Sequence, residues 1–385
     1  MLVPLTWLAE YVDLDLSPEE LAEALTAAGL KVESIRRPGR QVRGVVVGEV
    51  RSIRPHPNAS KLVVIEVALE GESRQIVCGA QNFAVGDRVP AALPGARLAD
   101  GAEIRRQAFR GEISDGMLCS PRELGVSEDH SGILVLSRES RVGADVAEVL
   151  GLGDVVLEVE ITPNRPDAMS LLGIAREVAA ITGTEVRYPQ PAIEEGVSAA
   201  PVSDLADVLV EDPDACPRYL ARVITGVTPG PSPDRMQRRL LAAGFRPISN
   251  VVDATNYALL VTGHPMHAFD LDRLEGARVV VRRARPGERL TTLDGTDRAL
   301  DPDDLMIADA AFPVALAGVI GGADTQVSET TRRVLLESAY FDPASVFRTS
   351  KRQALRTEAS ARFERGADPG NVPYSAELAC SFIQA

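Results

Sequence analysis

The chain has 385 residues and a formal charge of −14, from 41 Lys and Arg against 55 Asp and Glu. Hydrophobic residues make up 45% and charged residues 25%, a globular balance that excludes wholesale disorder and gives length for two or three domains. An acidic chain of this kind is no general polyanion binder, although a local basic patch can still meet RNA.

The four cysteines, Cys78, Cys119, Cys216 and Cys380, stand far apart and form no C-x-x-C pair. Neither a zinc knuckle nor a disulfide scaffold is indicated. The apolar start is met at once by Glu10 and Asp13 with no basic stretch before it, so no signal peptide is expected. The longest apolar run, residues 310–323, holds Pro313 and several glycines. A membrane helix needs about 18 apolar residues. No membrane span is expected, and the cytoplasm is the expected compartment.

Residues 1–38 read as one small unit. Val3-Pro4-Leu5-Thr6-Trp7-Leu8 predicts a strand or turn leading into a short helix. Ser17-Pro18-Glu19-Glu20 starts a second helix, with Ser as cap, Pro at the first helical position and Glu near the positive end. Leu21, Ala24, Leu25 and Ala28 keep helical spacing, Gly29 stops the helix, and Val32 and Ile35 suggest a strand.

Residues 39–150 change character. Strands are predicted over 44–50, 62–68, 75–78, 88–91 and 133–136, punctuated by Gly and Pro, the pattern of a small all-β barrel. Residues 151–200 return to mixed α/β. A strand over 155–161 leads through Thr162-Pro163-Asn164-Arg165-Pro166-Asp167, a turn, into a helix over 170–182. Arg165 belongs to a capped turn or to an RNA contact. Residues 189–201, with Glu194, Glu195 and Gly196, read as a linker.

Residues 202–385 form the longest unit. Strands are predicted over 208–210, 220–224, 278–282, 305–307, 314–319 and 334–337, and helices over 233–243, 343–350 and the tail from 372. The tail ends inside an apolar helical pattern without a cap, so a truncated chain is expected.

Several residues invite chemistry. Cys119 lacks a local basic partner and suits a small buried hydrophobe better than a nucleophile. His56 has no second ligand nearby in sequence. His264 and His267 flank Pro265, which disfavours a helix that would align them, and no third ligand is evident, so no metal is expected. Gly318-Val319-Ile320-Gly321-Gly322 is not followed by Lys-Ser/Thr and is no phosphate loop. Its glycines suit close approach of backbone to something else. Glu337 ends the apolar run Val334-Leu335-Leu336. It either faces solvent or faces a pocket, where it needs a hydrogen-bonding partner.

Two ordered sets of motifs carry a resemblance. The first comprises Ile53-Arg54-Pro55-His56-Pro57-Asn58, Ile76-Val77-Cys78-Gly79-Ala80-Gln81-Asn82, Pro94-Gly95-Ala96 and Arg110-Gly111-Glu112-Ile113-Ser114-Asp115-Gly116-Met117-Leu118-Cys119-Ser120. It resembles the OB-fold tRNA-binding domain appended to several aminoacyl-tRNA synthetases, which works either as an RNA contact or as a spacer. The second comprises Arg246-Pro247-Ile248-Ser249-Asn250-Val251-Val252-Asp253-Ala254-Thr255-Asn256, Gly263-His264-Pro265-Met266-His267-Ala268-Phe269-Asp270, Leu316-Ala317-Gly318, Leu336-Glu337-Ser338 and Arg356-Thr357-Glu358-Ala359-Ser360. Together with the opening and the Thr162–Asp167 turn, residues 162–167, it resembles the beta subunits of bacterial phenylalanyl-tRNA synthetases along the whole chain.

The resemblance implies a multidomain α+β fold: a discontinuous α/β domain of residues 1–38 plus 151–200, an inserted OB-fold barrel of residues 39–150, and an editing domain of residues 202–385. It implies hydrolysis of tyrosine wrongly esterified to tRNA(Phe). Glu337 would receive the phenolic hydroxyl with the Gly318 amide as a second contact, and Ala317 and Gly318 would keep the wall close. Thr357 and Ala359 would shape the pocket. His267, Thr255 and Asn256 would hold the ester end and the attacking water, with His267 either a general base or an orienting donor. Arg348, Lys351, Arg352, Arg356, Arg362 and Arg365 form a basic stretch that either pairs on a solvated helix face or meets the tRNA acceptor end. The resemblance also implies an alpha-subunit partner in an α2β2 assembly, with ATP and Mg²⁺ bound mainly outside these residues and no cofactor for editing. A free-standing deacylase and a non-catalytic tRNA-binding or assembly module stay open as alternatives.

Overall fold

The computed structural model describes residues 1–127, 129–194 and 200–385. Residues 195–199, the middle of the expected linker, lie outside the described residues. The N-terminal strand Leu2–Pro4 pairs antiparallel with Val156–Val159, which pairs in turn with Val32–Arg36. Residues on either side of the intervening β-module thus share one three-stranded sheet. The helix Pro18–Ala27 begins at a full capping box, with Glu20 returning the hydrogen bond of Ser17. The helix Leu171–Thr182 is capped by Ser170 and stops at Gly183 in the left-handed region. Trp7, Leu8, Leu25, Ile174 and Val178 pack with Leu240, Ala254 and Leu260 of the third unit, so the first and third units share a core.

The β-module is a five-stranded antiparallel sheet in the order Ser73–Cys78, Val63–Ala68, Arg43–Pro55, Arg88–Arg97, Met117–Leu118. The strand expected over 133–136 does not form. It is reduced to an isolated antiparallel bridge of Leu136 with Arg88, while the Asn82 side-chain amide donates to the carbonyl of Ile133 and accepts from the Ile133 N–H. His56 is tied the same way, with one ring nitrogen 2.8 Å from the Phe109 carbonyl and the other accepting from the Asn58 N–H.

The third unit holds two sheets. Arg333–Tyr340 is the middle strand of three, antiparallel to Arg218–Thr225 on one side and Met266–Asp270 on the other. The second sheet runs in the order Asp207–Val210, Arg278–Arg283, Leu305–Ala308, Pro313–Leu316, Ile320–Gly321. The run expected as one strand over 314–319 breaks at Leu316, because Gly318 turns the chain with φ +69°. Leu335 and Ala339 pack with Val279, Val281 and Leu305, so one face of the middle strand meets the second sheet. Val334 and Leu336 face the other way, among Val251, Ala258 and Ala379 of the helices Asn250–Thr262 and Val372–Gln384. The helix Asn250–Thr262 was not among those expected, although Ser249 caps it and Gly263 closes it.

Candidate functional site

Glu337 shares its face of the middle strand with Leu335 and Ala339, so the carboxyl is carried inward between the sheets rather than out to solvent. Only 7% of the residue is exposed. The Tyr219 hydroxyl, from the neighbouring strand, donates to its Oε2 at 2.7 Å. Burial outweighs this bond and pushes the carboxyl up to about 7. Directly across the other strand pair sits His267, the register partner of Glu337, which places both side chains on one face.

A cavity of about 240 Å³ opens at this pair. Its lining joins Asn256 and Leu259 of the helix, His267, the turn Gly318–Gly321 (residues 318–321), Glu337, and Thr357 and Ala359 at the start of the helix Glu358–Phe363. Thr357 is committed structurally: its hydroxyl caps that helix at Ser360 and donates to the Val319 carbonyl at 2.7 Å, fixing the helix to the turn. Leu293 and Phe363 complete the apolar wall.

The His267 ring stands edge-on to Phe269, with centroids 4.5 Å apart, and its Nε2 is buried without a hydrogen-bond partner among the described residues. Burial pushes the ring down to about 4, so it is neutral at physiological pH. Gly321 makes room for it. A Cβ at 321 would stand 2.4 Å from Cε1 and 2.7 Å from Nε2 of His267. Gly321→Ala is therefore expected to displace the ring and to lower stability by about 1–3 kcal/mol, read as a lower denaturant midpoint at unchanged slope. An unchanged midpoint would mean that the ring yields without cost.

Two residues expected at the site are not there. Thr255 lies on the same helix as Asn256 but is buried, and its hydroxyl donates back to the Val252 carbonyl at 2.7 Å. One residue is a turn of about 100° on a helix, enough to take it off the cavity face. Ala317 is buried in the core beside the turn and does not line the cavity.

The basic stretch does not form one surface. Arg362 is 3% exposed and is held by Glu358 and by the carbonyl of Met169 in the first unit. Arg365 donates to the Ile161 carbonyl at 3.3 Å. Arg352 pairs with the fully buried Asp304. Arg362 and Arg365 join the third unit to the first, whereas Arg348, Lys351, Arg356 and the Asp304-paired Arg352 are exposed. Lys351 lies 5.7 Å above the half-exposed ring of Phe347. Arg165 is likewise occupied, by Asp167 and Glu177.

Cys119 is fully buried and burial pushes its thiol far up, which removes it as a nucleophile. All four cysteines are free and buried. Among the described residues no three His, Cys, Asp or Glu side chains are grouped to hold a metal ion. Among them, too, no helix is long and apolar enough to cross a membrane. Tyr219 was not anticipated. It is one aromatic in a mixed strand, and only the strand pairing reveals what it touches.

Residues 215–385 match the family model of the B3/4 domain, and residues 45–145 match that of a putative tRNA binding domain. The phenylalanine–tRNA ligase beta subunit of Anaeromyxobacter dehalogenans (strain 2CP-C) is 57% identical over 373 residues, 97% of this chain and 46% of that one. The chain belongs to the phenylalanine–tRNA ligase beta-subunit family. The beta subunit of Moorella thermoacetica (strain ATCC 39073 / JCM 9320) is 52% identical over all of this chain and 48% of its own length. The chain spans about half the length of the curated beta subunits it matches. A solved N-terminal fragment of the phenylalanyl-tRNA synthetase beta subunit from Pyrococcus horikoshii is 15% identical. It covers 52% of this chain and 62% of that one at a TM-score of 0.29, too low to speak to the fold. The cavity beside Glu337 lies within the B3/4 match, and the five-stranded module, apart from its first two residues, within the tRNA-binding match.

Proposed function

We propose that these residues are the editing and tRNA-binding portion of a phenylalanine–tRNA ligase beta subunit, and that the cavity hydrolyses tyrosine from mischarged Tyr-tRNA(Phe). The observation that carries the reading is Glu337, a buried carboxyl facing an apolar cavity with one oxygen held by Tyr219. Tyrosine is larger than phenylalanine, so a second sieve based on size fails. The site must instead demand the extra hydroxyl. A site built to hydrogen-bond a substrate hydroxyl rejects the analogue lacking it by about 10⁴-fold or more.

In this reading Glu337 accepts the phenolic hydroxyl, the turn at Gly318 closes on the ring, and Thr357 and Ala359 keep the entrance narrow. Asn256 and His267 sit towards the ester end. A ring whose conjugate acid has a pKa of about 4 is a weak base at neutral pH, which favours His267 as the group that orients water over a general base. Hydrolysis then rests on a positioned water.

The same reading divides the chain into an α/β unit of residues 1–38 plus 151–200, an OB-type module of residues 39–150 that contacts tRNA, and the editing unit of residues 202–385. Arg348, Lys351 and Arg356 are the cations open to the acceptor end. Attachment of phenylalanine, with ATP and Mg²⁺, falls to the alpha subunit of an α2β2 enzyme in the cytoplasm. The test is release of amino acid from Tyr-tRNA(Phe), with Phe-tRNA(Phe) as control, at high protein concentration. Release of tyrosine alone supports the reading. Equal release of both, or of neither once the alpha subunit and a full-length beta subunit are supplied, rejects it.

A further inference from the structure

Glu337 has two carboxyl oxygens and the fold uses one. Tyr219 reaches Oε2 from the strand Arg218–Thr225, and no other hydrogen bond to the carboxyl is present among the described residues. The other neighbour across the sheet, His267, forms no bond with it. Leu316, Val319 and Ile320 give the cavity an apolar lining. Oε1 is therefore the carboxyl oxygen left to a ligand, beside the unpartnered Nε2 of His267.

We propose that Tyr219 is the positioning residue that makes Glu337 selective: by occupying Oε2 it fixes the carboxyl plane and presents Oε1 to the hydroxyl of a phenolic ligand. The inference rests on the hydrolase reading for the identity of the ligand, but its test does not need hydrolysis. Tyr219 touches no ligand itself. It acts through Glu337, as a partly buried partner that restricts the carboxyl to one orientation. Without it the carboxyl is free to rotate, and its plane no longer matches the incoming hydroxyl.

The bond also sets when the carboxyl is charged. The titratable groups around Glu337 are Tyr219 and Cys216 from one side, His267 from the other, and Glu358 at the cavity lining. Tyr219 is the one among them whose hydrogen bond favours the carboxylate and opposes burial. Removing it drives the carboxyl further up. The carboxylate, the better acceptor for a phenol, then persists only at higher pH.

The experiment is calorimetric binding of free L-tyrosine and L-phenylalanine to the wild-type chain and to Tyr219→Phe, from pH 6 to 9. Phenylalanine keeps the ring and its packing, and circular dichroism checks the fold. A hydrogen bond to a charged group is worth roughly 10- to 100-fold in affinity. The expected result is a tyrosine Kd about tenfold weaker in Tyr219→Phe, an unchanged phenylalanine Kd, and a tyrosine-binding midpoint moved to higher pH. Three results overturn the inference: tyrosine binding and its pH midpoint as in the wild type, equal loss of tyrosine and phenylalanine as a packing defect would give, or no tyrosine preference in the wild type. A wild type that binds tyrosine selectively but releases none from Tyr-tRNA(Phe) leaves this inference standing and rejects the hydrolase reading.

Discussion

Glu337→Ala is expected to cut the release of tyrosine from Tyr-tRNA(Phe) by at least about 100-fold, through loss of the one group that makes a hydroxyl an advantage. The alanine cavity is larger and apolar at its floor. A phenol placed there would leave its hydroxyl buried without an acceptor, at about 1–3 kcal/mol, and the Tyr219 hydroxyl would be orphaned beside it. Phenylalanine meets no such cost, so the variant should bind phenylalanine at least as well as tyrosine. Glu337→Gln separates charge from geometry. It keeps a carbonyl acceptor at nearly the same position, and a tenfold rather than hundredfold loss would divide the effect about equally between the charge and the hydrogen-bond acceptor. The comparison is made by single-turnover deacylation on both esters, with thermal melts beside it. Unchanged tyrosine release from a folded Glu337→Ala protein would remove this residue from the mechanism.

What the sequence makes legible here is local chemistry, and what it hides is register. Ser17-Pro18-Glu19-Glu20 and Ser170 announce their helices because a cap is satisfied within three residues of chain. The apolar run before Glu337 announces a buried strand for the same reason. Which way Glu337 points depends on strand pairing with residues 118 positions away, and no local pattern encodes it. Tyr219 is invisible on the same ground. Thr255 and Asn256 are adjacent in one motif, yet a helix sends one to the cavity and folds the other back onto Val252. The basic stretch misleads in the opposite sense. Six cations look like one surface in sequence, but Arg362 and Arg365 reach back to the carbonyls of Met169 and Ile161 and join the third unit to the first. Gly321 was readable as a place of close approach, although not what approaches: it is the His267 ring.

Acid stability supplies the second large effect, and His264 is the residue to test. It is 1% exposed, edge-on to Phe363 with centroids 6.0 Å apart. Burial pushes it down to about 4, against a weaker opposing pull from the Ala339 backbone and the Asp368 charge. An unfolded histidine takes up its proton near pH 6.5. Between pH 6.5 and about 4 the unfolded chain therefore holds a proton at this position that the folded chain refuses, and stability rises with pH across the window. The full contribution is present above pH 6.5 and is lost as the pH falls towards 4, about 3 kcal/mol in all at about 1.4 kcal/mol per pH unit. His267 acts in the same sense. Glu337, raised to about 7, acts in the opposite sense, its share being greatest below pH 4.5 and lost as the pH climbs to 7. The carboxyls that ion pairs hold down, Glu10 and Asp167 among them, act only below their unfolded values. A difference measurement isolates His264 from all of these. In urea titrations at pH 6.5, 5.5 and 4.5, wild type should lose about 1 kcal/mol per unit more than His264→Gln, which carries no titrating ring. Parallel curves for the two proteins would show that the folded state admits the proton, and that the first and third units are not closed over this ring as tightly as its burial indicates.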